Sequence, residues 1–524
     1  MNRREFMGSA SALVLSMAQG AQAATVEVPQ SGPPFRDLPE MRSTDGHLLT
    51  ELRMAPVTWS LNDETSVEVA AYNGTVPGTL YRLRPGDRLR WTLINDMEPA
   101  GLPPFQIGGP PTAAQEALNY TNIHTHGLQV SPGEGHDNVY AVVKPGESLD
   151  YAYDIPGPDS GRPQPPGLYW YHPHKHGSTS HQGWQGLAGP IVVEGDIDEV
   201  PEVAAARERV MVLNEMLLNE AGQVPSAVIV PTVGPVPFTS VPAMPMDILF
   251  PINGVLQPEI DIRPGETQRW RVLAAGPHRF FHLRLDGHAL WQISQDGVPF
   301  AQAREMDSIL LAPGQRAEFI VKGGPPGRYA FRALAYDQGH PGGPRPEKVL
   351  GTVVSAGAPM DGPLPGKLVD PPEIPEDART VVNTRTVTFE GNIASTPVRF
   401  YLDGKPFSAS RIDQTVLAGT TEEWLLVNED VFQHPFHIHV NPFQVIEING
   451  EPTGEDSWWD TFALPPLGTA KIRIYFRPDV TGLTVYHCHI LPHEDNGMMA
   501  NLLIYGDLPT GFGPVAGHGG AHGG

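Results

Sequence analysis

A chain of 524 residues is too long for a single hydrophobic core and points to about three domains. Glycine and proline number 56 each, far above their usual combined share of roughly 12%, and they are scattered as turns between many short strands. With 35 Lys+Arg against 59 Asp+Glu the formal net charge is −24, which argues against nucleic acid and anionic lipid as partners and favours neutral or cationic ones.

The first segment has the make-up of an export signal. Arg3 and Arg4 precede Phe6, a modestly apolar run from Met7 to Met17 follows, and Ala21-Gln22-Ala23 closes it. That order predicts a twin-arginine signal peptide over residues 1–23, cleaved near Ala24, and a mature protein in the periplasm or secreted. No later stretch approaches the ~20 apolar residues needed to span a bilayer, so no membrane association is expected. The single cysteine, Cys488, excludes an internal disulfide. A lone thiol in an oxidising compartment must be either buried or bound to metal.

An internal repeat runs three times along the rest. Asn73-Gly74, Asn253-Gly254 and Asp403-Gly404 are each followed by a proline, and then by a glycine (Gly86, Gly265, Gly419). A tryptophan stands five residues beyond each of those glycines: Trp91, Trp270 and Trp424. Each tryptophan lies in an alternating segment of strand type, such as Leu89-Arg90-Trp91-Thr92-Leu93. Farther on, Gly146, Gly314 and Gly468 each open another strand. A second glycine (Gly167, Gly327, Gly482) then precedes His172, Arg332 and His487 by five residues. The repeat predicts an all-β chain of three consecutive β-sandwich domains, 45–200, 205–357 and 377–507. A Pro/Gly-rich linker occupies 358–376, and a Gly/His-rich tail occupies 508–524.

The middle copy differs from its neighbours in chemistry. Phe281-His282-Leu283-Arg284 stands where the third copy has Phe436-His437-Ile438-His439, and Arg332 stands where the outer copies have histidine. It is expected to be a spacer without metal ligands, its His278, His282 and His288 structural.

The outer copies concentrate histidine. Five His-x-His triplets occur: 124/126, 172/174, 174/176, 437/439 and 487/489. In a strand, residues two apart share a face, so each pair can grip a metal without bending the backbone. Imidazole alone does not identify the metal. Cys488, set between His487 and His489, narrows the choice. Its thiolate should face away from the two imidazoles, so two metal sites would lie on opposite sides of one strand. His493 and Met498 follow at five and ten residues, and His434 remains once the 437/439 pair is assigned. Two imidazoles, a thiolate and a thioether make a blue-copper set.

These residues resemble the motifs of the three-domain multicopper oxidases, the family of laccases and bacterial copper-efflux oxidases. The resemblance rests on Asn122–Gly127, Trp170–Gly177, His434–His439 and His487–Met499, and spans roughly residues 50–507. It implies cupredoxin-like Greek-key domains and four copper ions per chain. Type 1 copper would take His434, Cys488 and His493, with Met498 axial. Type 2 would take His124 and His437. The type 3 pair would take His126, His172 and His489 on one side and His174, His439 and His487 on the other. His176, His136 and His181 fall outside these sets. Glu494 and Asp137 resemble the acids that supply protons to the cluster.

The implied activity is laccase-like: one-electron oxidation of a phenolic or aromatic reductant coupled to reduction of dioxygen to water, by a chain able to work as a monomer. A metal-ion oxidase in copper tolerance is the alternative. It is weakened because the methionine-rich insert of the copper-efflux enzymes is missing: Met360 is the only methionine between residues 307 and 497. A copper carrier or structural exported protein would leave the full histidine set unexplained.

Overall fold

The computed structural model describes residues 27–98, 117–218, 247–340, 343–393, 398–454 and 457–506. The expected signal peptide and the Gly/His-rich tail lie outside the described residues.

The described chain forms three successive pairs of β-sheets and a further two-stranded sheet, Met216–Leu218 with Asp247–Leu249. The first pair joins a four-stranded sheet, with Arg88–Asn95 in its interior, to a five-stranded sheet that carries His124–His126 and Gly167–His172. The second pairs a seven-stranded sheet around Thr267–Ala274 with a five-stranded one carrying Phe281–Leu285 and Gly327–Ala333. In the third, Thr421–Asn428 lies inside a seven-stranded sheet, and His434–Ile438 and Gly482–Cys488 lie side by side in a five-stranded one. Every sandwich runs its tryptophan strand parallel to one neighbour and antiparallel to the other, which requires crossover connections rather than simple hairpins.

The sequence repeat is a repeat of backbone geometry. Asn73-Gly74, Asn253-Gly254 and Asp403-Gly404 hold φ of 52/75°, 50/71° and 51/68°, a left-handed pair that Asn, Asp and Gly tolerate best. The side-chain oxygen of Asn73, Asn253 and Asp403 accepts the backbone N–H of Arg53, Val212 and Thr388 respectively, at 2.8 Å in all three. Trp91, Trp270 and Trp424 are buried in the core of their own sandwich and face Tyr151, Phe319 and Ile472 across the antiparallel ladder. Burying about 200 Å² of aromatic surface is worth on the order of 5 kcal/mol before entropic losses.

Ladder register also fixes what occupies the metal-side position of each domain. His124 lies opposite His172, and His437 opposite His487. In the middle sandwich Arg284 lies opposite Arg332, so Arg284, and not His282, is the ladder equivalent of His437. Two guanidiniums there repel a cation. Arg332 is neutralised locally by Asp286 and Glu347, both at 2.8 Å.

Candidate metal centre

The strand Gly482–Cys488 and the residue just past it organise the whole site. Cys488 is fully buried and turns Sγ toward His434 Nδ1 at 3.4 Å and His493 Nδ1 at 3.7 Å, while the two imidazole nitrogens approach each other to 3.3 Å. His434 comes from the adjacent strand, where Phe436 pairs with Cys488. His493 comes from the short helix Leu491–Asp495. Met498 is fully buried, and its backbone carbonyl accepts the Cys488 N–H at 3.1 Å, so the chain returns beside the thiol. Burial pushes the Cys488 thiol well above its usual range, so a neighbouring cation is needed to keep it as thiolate.

On the other side of the strand, His487 and His489 enter two further groups. His487 Nε2 lies 3.2 Å from His174 Nε2 and 3.3 Å from His439 Nε2. His489 joins His126 and His172, whose ligand atoms lie within 4.8 Å of one another. A third group brings together His124, His126 and His437. The His124 and His439 rings stack at 3.8 Å, and so do His126 and His437, which interleaves residues of the first and third sandwiches. All eight rings are buried. Burial, helped in most by neighbouring imidazoles, pushes their pKa values down, His172 to about 3 and His437 to about 4. The rings are therefore neutral, as metal ligation requires.

Several ring nitrogens have no protein partner. His124 Nε2, His126 Nδ1, His172 Nε2 and His437 Nε2 are buried without a hydrogen bond. Their opposite nitrogens are all occupied. His124 Nδ1 meets Asp137 Oδ2 at 2.8 Å, and His126 Nε2 meets Asp460 Oδ1 at 3.0 Å. The backbone oxygens of Pro173 and Asp460 accept from His172 Nδ1 at 3.0 Å and His437 Nδ1 at 2.7 Å. One nitrogen fixed by an outer partner and the other left bare and inward-facing is the arrangement of a metal-binding imidazole. A thiolate joined by imidazoles suits copper.

Two buried acids adjoin these rings. Glu494 Oε2 lies 3.2 Å from His487 Nδ1, and Oε1 lies 3.6 Å from His174 Nδ1. Burial, reinforced by Asp495, pushes the Glu494 carboxyl well above its usual range. Asp137 accepts the Thr125 N–H at 2.8 Å, yet burial still raises it to about 7. Both acids can hold a proton near neutral pH. His176 packs on Phe407, with ring centroids 4.6 Å apart, and His136 bonds to the Ala152 carbonyl; neither joins a ligand group.

Family models agree with this geometry. Three models, each described as multicopper oxidase, match residues 116–197, 198–354 and 373–507 in succession. The chain belongs to the multicopper oxidases. It is an oxidoreductase that uses dioxygen, with copper as its cofactor. Among curated relatives, it is 25% identical to multicopper oxidase mco of Staphylococcus haemolyticus, over 83% of each chain. It is also 25% identical to the laccase of Bacillus subtilis, over 86% of this chain and 93% of that one. Among solved structures, a multicopper oxidase from Campylobacter jejuni, described as a metallo-oxidase, superposes with a TM-score of 0.73 at 22% identity, covering 93% of this chain and 98% of that one. A laccase-like oxidase from Ochrobactrum, with activity towards lignin model compounds, gives 0.72 at 24%, covering 90% and 100%.

The middle domain of this multicopper oxidase does more than hold the outer two apart. Gly314 (φ 88°) faces the His489 ring so closely that a Cβ would come within 2.8 Å of it. Arg316 Nη1 and Nη2 donate to Asp460 Oδ1 and Oδ2, both at 2.7 Å, and Nε donates to the Leu168 carbonyl at 3.1 Å. Of Gly314, Arg316, Asp460 and Asp430, only Gly314 figures in the sequence repeat, and there only as the residue that opens a strand. Asp430 stands four residues before His434 and accepts from its Nε2 at 2.7 Å, the only one of the four within local reach of a ligand motif.

Proposed function

We propose that this multicopper oxidase holds four copper ions per chain and couples one-electron oxidation of a phenolic or other aromatic reductant to four-electron reduction of dioxygen. His434, Cys488, His493 and Met498 would hold the type 1 ion, and His124 and His437 the type 2 ion. His126, His172 and His489 would hold one type 3 ion, and His174, His439 and His487 the other. Bound copper would supply one-electron redox chemistry beside Cys488 and dioxygen binding among the eight imidazoles. The observation that carries this reading is the tripeptide His487-Cys488-His489, which reaches three ligand groups through adjacent peptide units.

The balance is four phenols, each losing one electron and one proton to become a phenoxyl radical, against one dioxygen converted to two waters. Glu494 and Asp137 hold protons next to the ligand rings, so four need not arrive from bulk solvent at once. Export by the twin-arginine route, supported by Arg3-Arg4 and Ala21-Gln22-Ala23, would place this reaction outside the cytoplasm.

A second reading, oxidation of a low-valent metal ion, is favoured by one feature. The outer nitrogen of His434 ends on Asp430, which is 13% exposed, and, beyond the effect of burial, Asp430, Glu429 and Asp403 all lie near enough to Glu390 to raise its pKa. Carboxylates at that end attract cations.

The test is the visible spectrum and copper content of the loaded wild type beside Cys488→Ser, with oxygen uptake on a methoxyphenol and on cuprous ion. Loss of the blue band on substitution, about four coppers in the wild type and uptake with the phenol support the reading. A blue band that survives the substitution removes it.

A further inference from the structure

His434 and His493 both turn Nδ1 toward Cys488, so the Nε2 of each is the outer end of its ring. For His434 that end meets Asp430. For His493 it meets a residue of a different domain: His340 of the middle sandwich, with 3.4 Å between the two Nε2 atoms.

His340 is held there from several directions. Its ring stacks on Phe432 at 4.7 Å and 18°, and lies 4.9 Å from the His278 ring. Gln338 Nε2 donates to His340 Nδ1 at 2.9 Å and to the His278 carbonyl at 3.2 Å, while its Oε1 accepts the Phe280 N–H at 3.4 Å. The Gln433 N–H donates to the Gln338 carbonyl at 2.9 Å, tying this loop to the third sandwich. Gly339 adopts φ of 84° and lies so near the chain at Val431 and Phe432 that a Cβ would come within 2.3 Å of the Val431 carbonyl. The face of His493 is also taken, by Phe400 stacked at 4.0 Å. His493 is 4% exposed and His340 is 6% exposed.

We propose that His340 is a specificity-determining residue that narrows the outer edge of His493, so that bulky aromatic reductants reach it more slowly than small phenols do. The proposal rests on the reading of His434, Cys488 and His493 as an electron-accepting copper site. A bulky flat donor needs room beyond the edge of His493, and the imidazole of the middle domain takes up part of that room. A metal ion needs no such slot and can approach through the carboxylates at Asp430. Reductant choice in this chain would then be set by a residue outside both copper-bearing domains.

The test compares copper-loaded wild type with His340→Ala and His340→Phe, since phenylalanine can keep the stack on Phe432 and the closure. Anaerobic bleaching of the blue band is timed with a bulky methoxyphenol and with cuprous ion. In H340A the ratio of phenol rate to metal-ion rate should rise about tenfold or more, the scale of discrimination that pocket shape provides. In H340F it should stay near the wild-type ratio. A second readout needs no turnover: dimethoxybenzene, a ring without a phenolic hydroxyl, should perturb the blue absorption of H340A more strongly than that of the other two. An unchanged ratio in H340A, or alanine and phenylalanine variants that behave alike, overturns the proposal while leaving the copper site standing. A loaded wild type with no blue band would overturn the copper reading beneath it as well.

Discussion

Arg316 and Asp460 form a two-point buried ion pair that ties all three sandwiches to the metal centre. The arginine belongs to the second domain, the aspartate to the third, and the Leu168 carbonyl that Arg316 also binds belongs to the first. Asp460 in turn holds His126 through its carboxylate and His437 through its backbone oxygen. Asp296 supports the pair from behind, accepting the Arg316 N–H at 2.9 Å.

Arg316→Met should therefore cost both stability and copper. Removing one partner of a buried pair strands the other charge, a loss of about 3–5 kcal/mol. The type 2 signal in electron paramagnetic resonance should weaken while the blue band persists, because Cys488, His434 and His493 lie apart from this pair. Arg316→Lys should recover part of the loss. A methionine variant with full copper and unchanged unfolding would show that the pair does not position the ligands.

Glu494→Gln separates proton supply from electron entry. Burial favours the protonated form of this carboxyl, and an amide has no such proton to release. Reoxidation of the fully reduced enzyme by dioxygen should slow by about 10²–10⁴-fold, the usual contribution of a positioned acid. Reduction of the blue site under anaerobic conditions should continue. Stopped-flow absorbance distinguishes the two phases, and unchanged reoxidation would assign Glu494 a structural role.

Gly314→Ala tests the close approach of the middle domain to the His489 ring. A side chain there meets both an unfavourable φ of 88° and the His489 ring. Copper bound among the eight imidazoles should fall, read by metal analysis alongside the blue band. Normal loading would mean that the domains separate slightly at little cost.

Glu215 gives a pH dependence that involves no metal ligand. It is 2% exposed and accepts the Arg279 N–H at 2.8 Å, and burial raises its carboxyl to about 7. A raised folded pKa contributes stability that is full below the unfolded value and lost as pH climbs to about 7. Glu215→Gln keeps an acceptor and removes the ionisation. The variant should gain in Tm relative to wild type at about pH 8 and gain little at about pH 5. Equal shifts at both would mean that Glu215 does not ionise in the folded chain.

The parts of this architecture that were readable in the sequence are those written in local spacing. The Asn/Asp-Gly turns, the buried tryptophans and the His-x-His pairs each depend on residues a few positions apart, and strand geometry converts that spacing into a shared face. The alignment of His282 with His437 failed by two residues because it matched phenylalanines, whereas the hydrogen-bonded ladder decides which residues lie opposite. The partners Asp460, Arg316 and His340 carry no such signal. They lie 334, 144 and 153 positions from the residues they touch, across boundaries between domains, where nothing in the local pattern records the contact.

The strand ending at Cys488 makes the two proposed kinds of copper centre inseparable in assembly. Because alternate residues point to opposite faces, sliding that strand by one position against His434–Ile438 would send the sulfur inward and the imidazoles outward together. Mispairing there could not yield a partly working enzyme with one intact centre. Correct pairing of a single ladder is an all-or-nothing requirement for both.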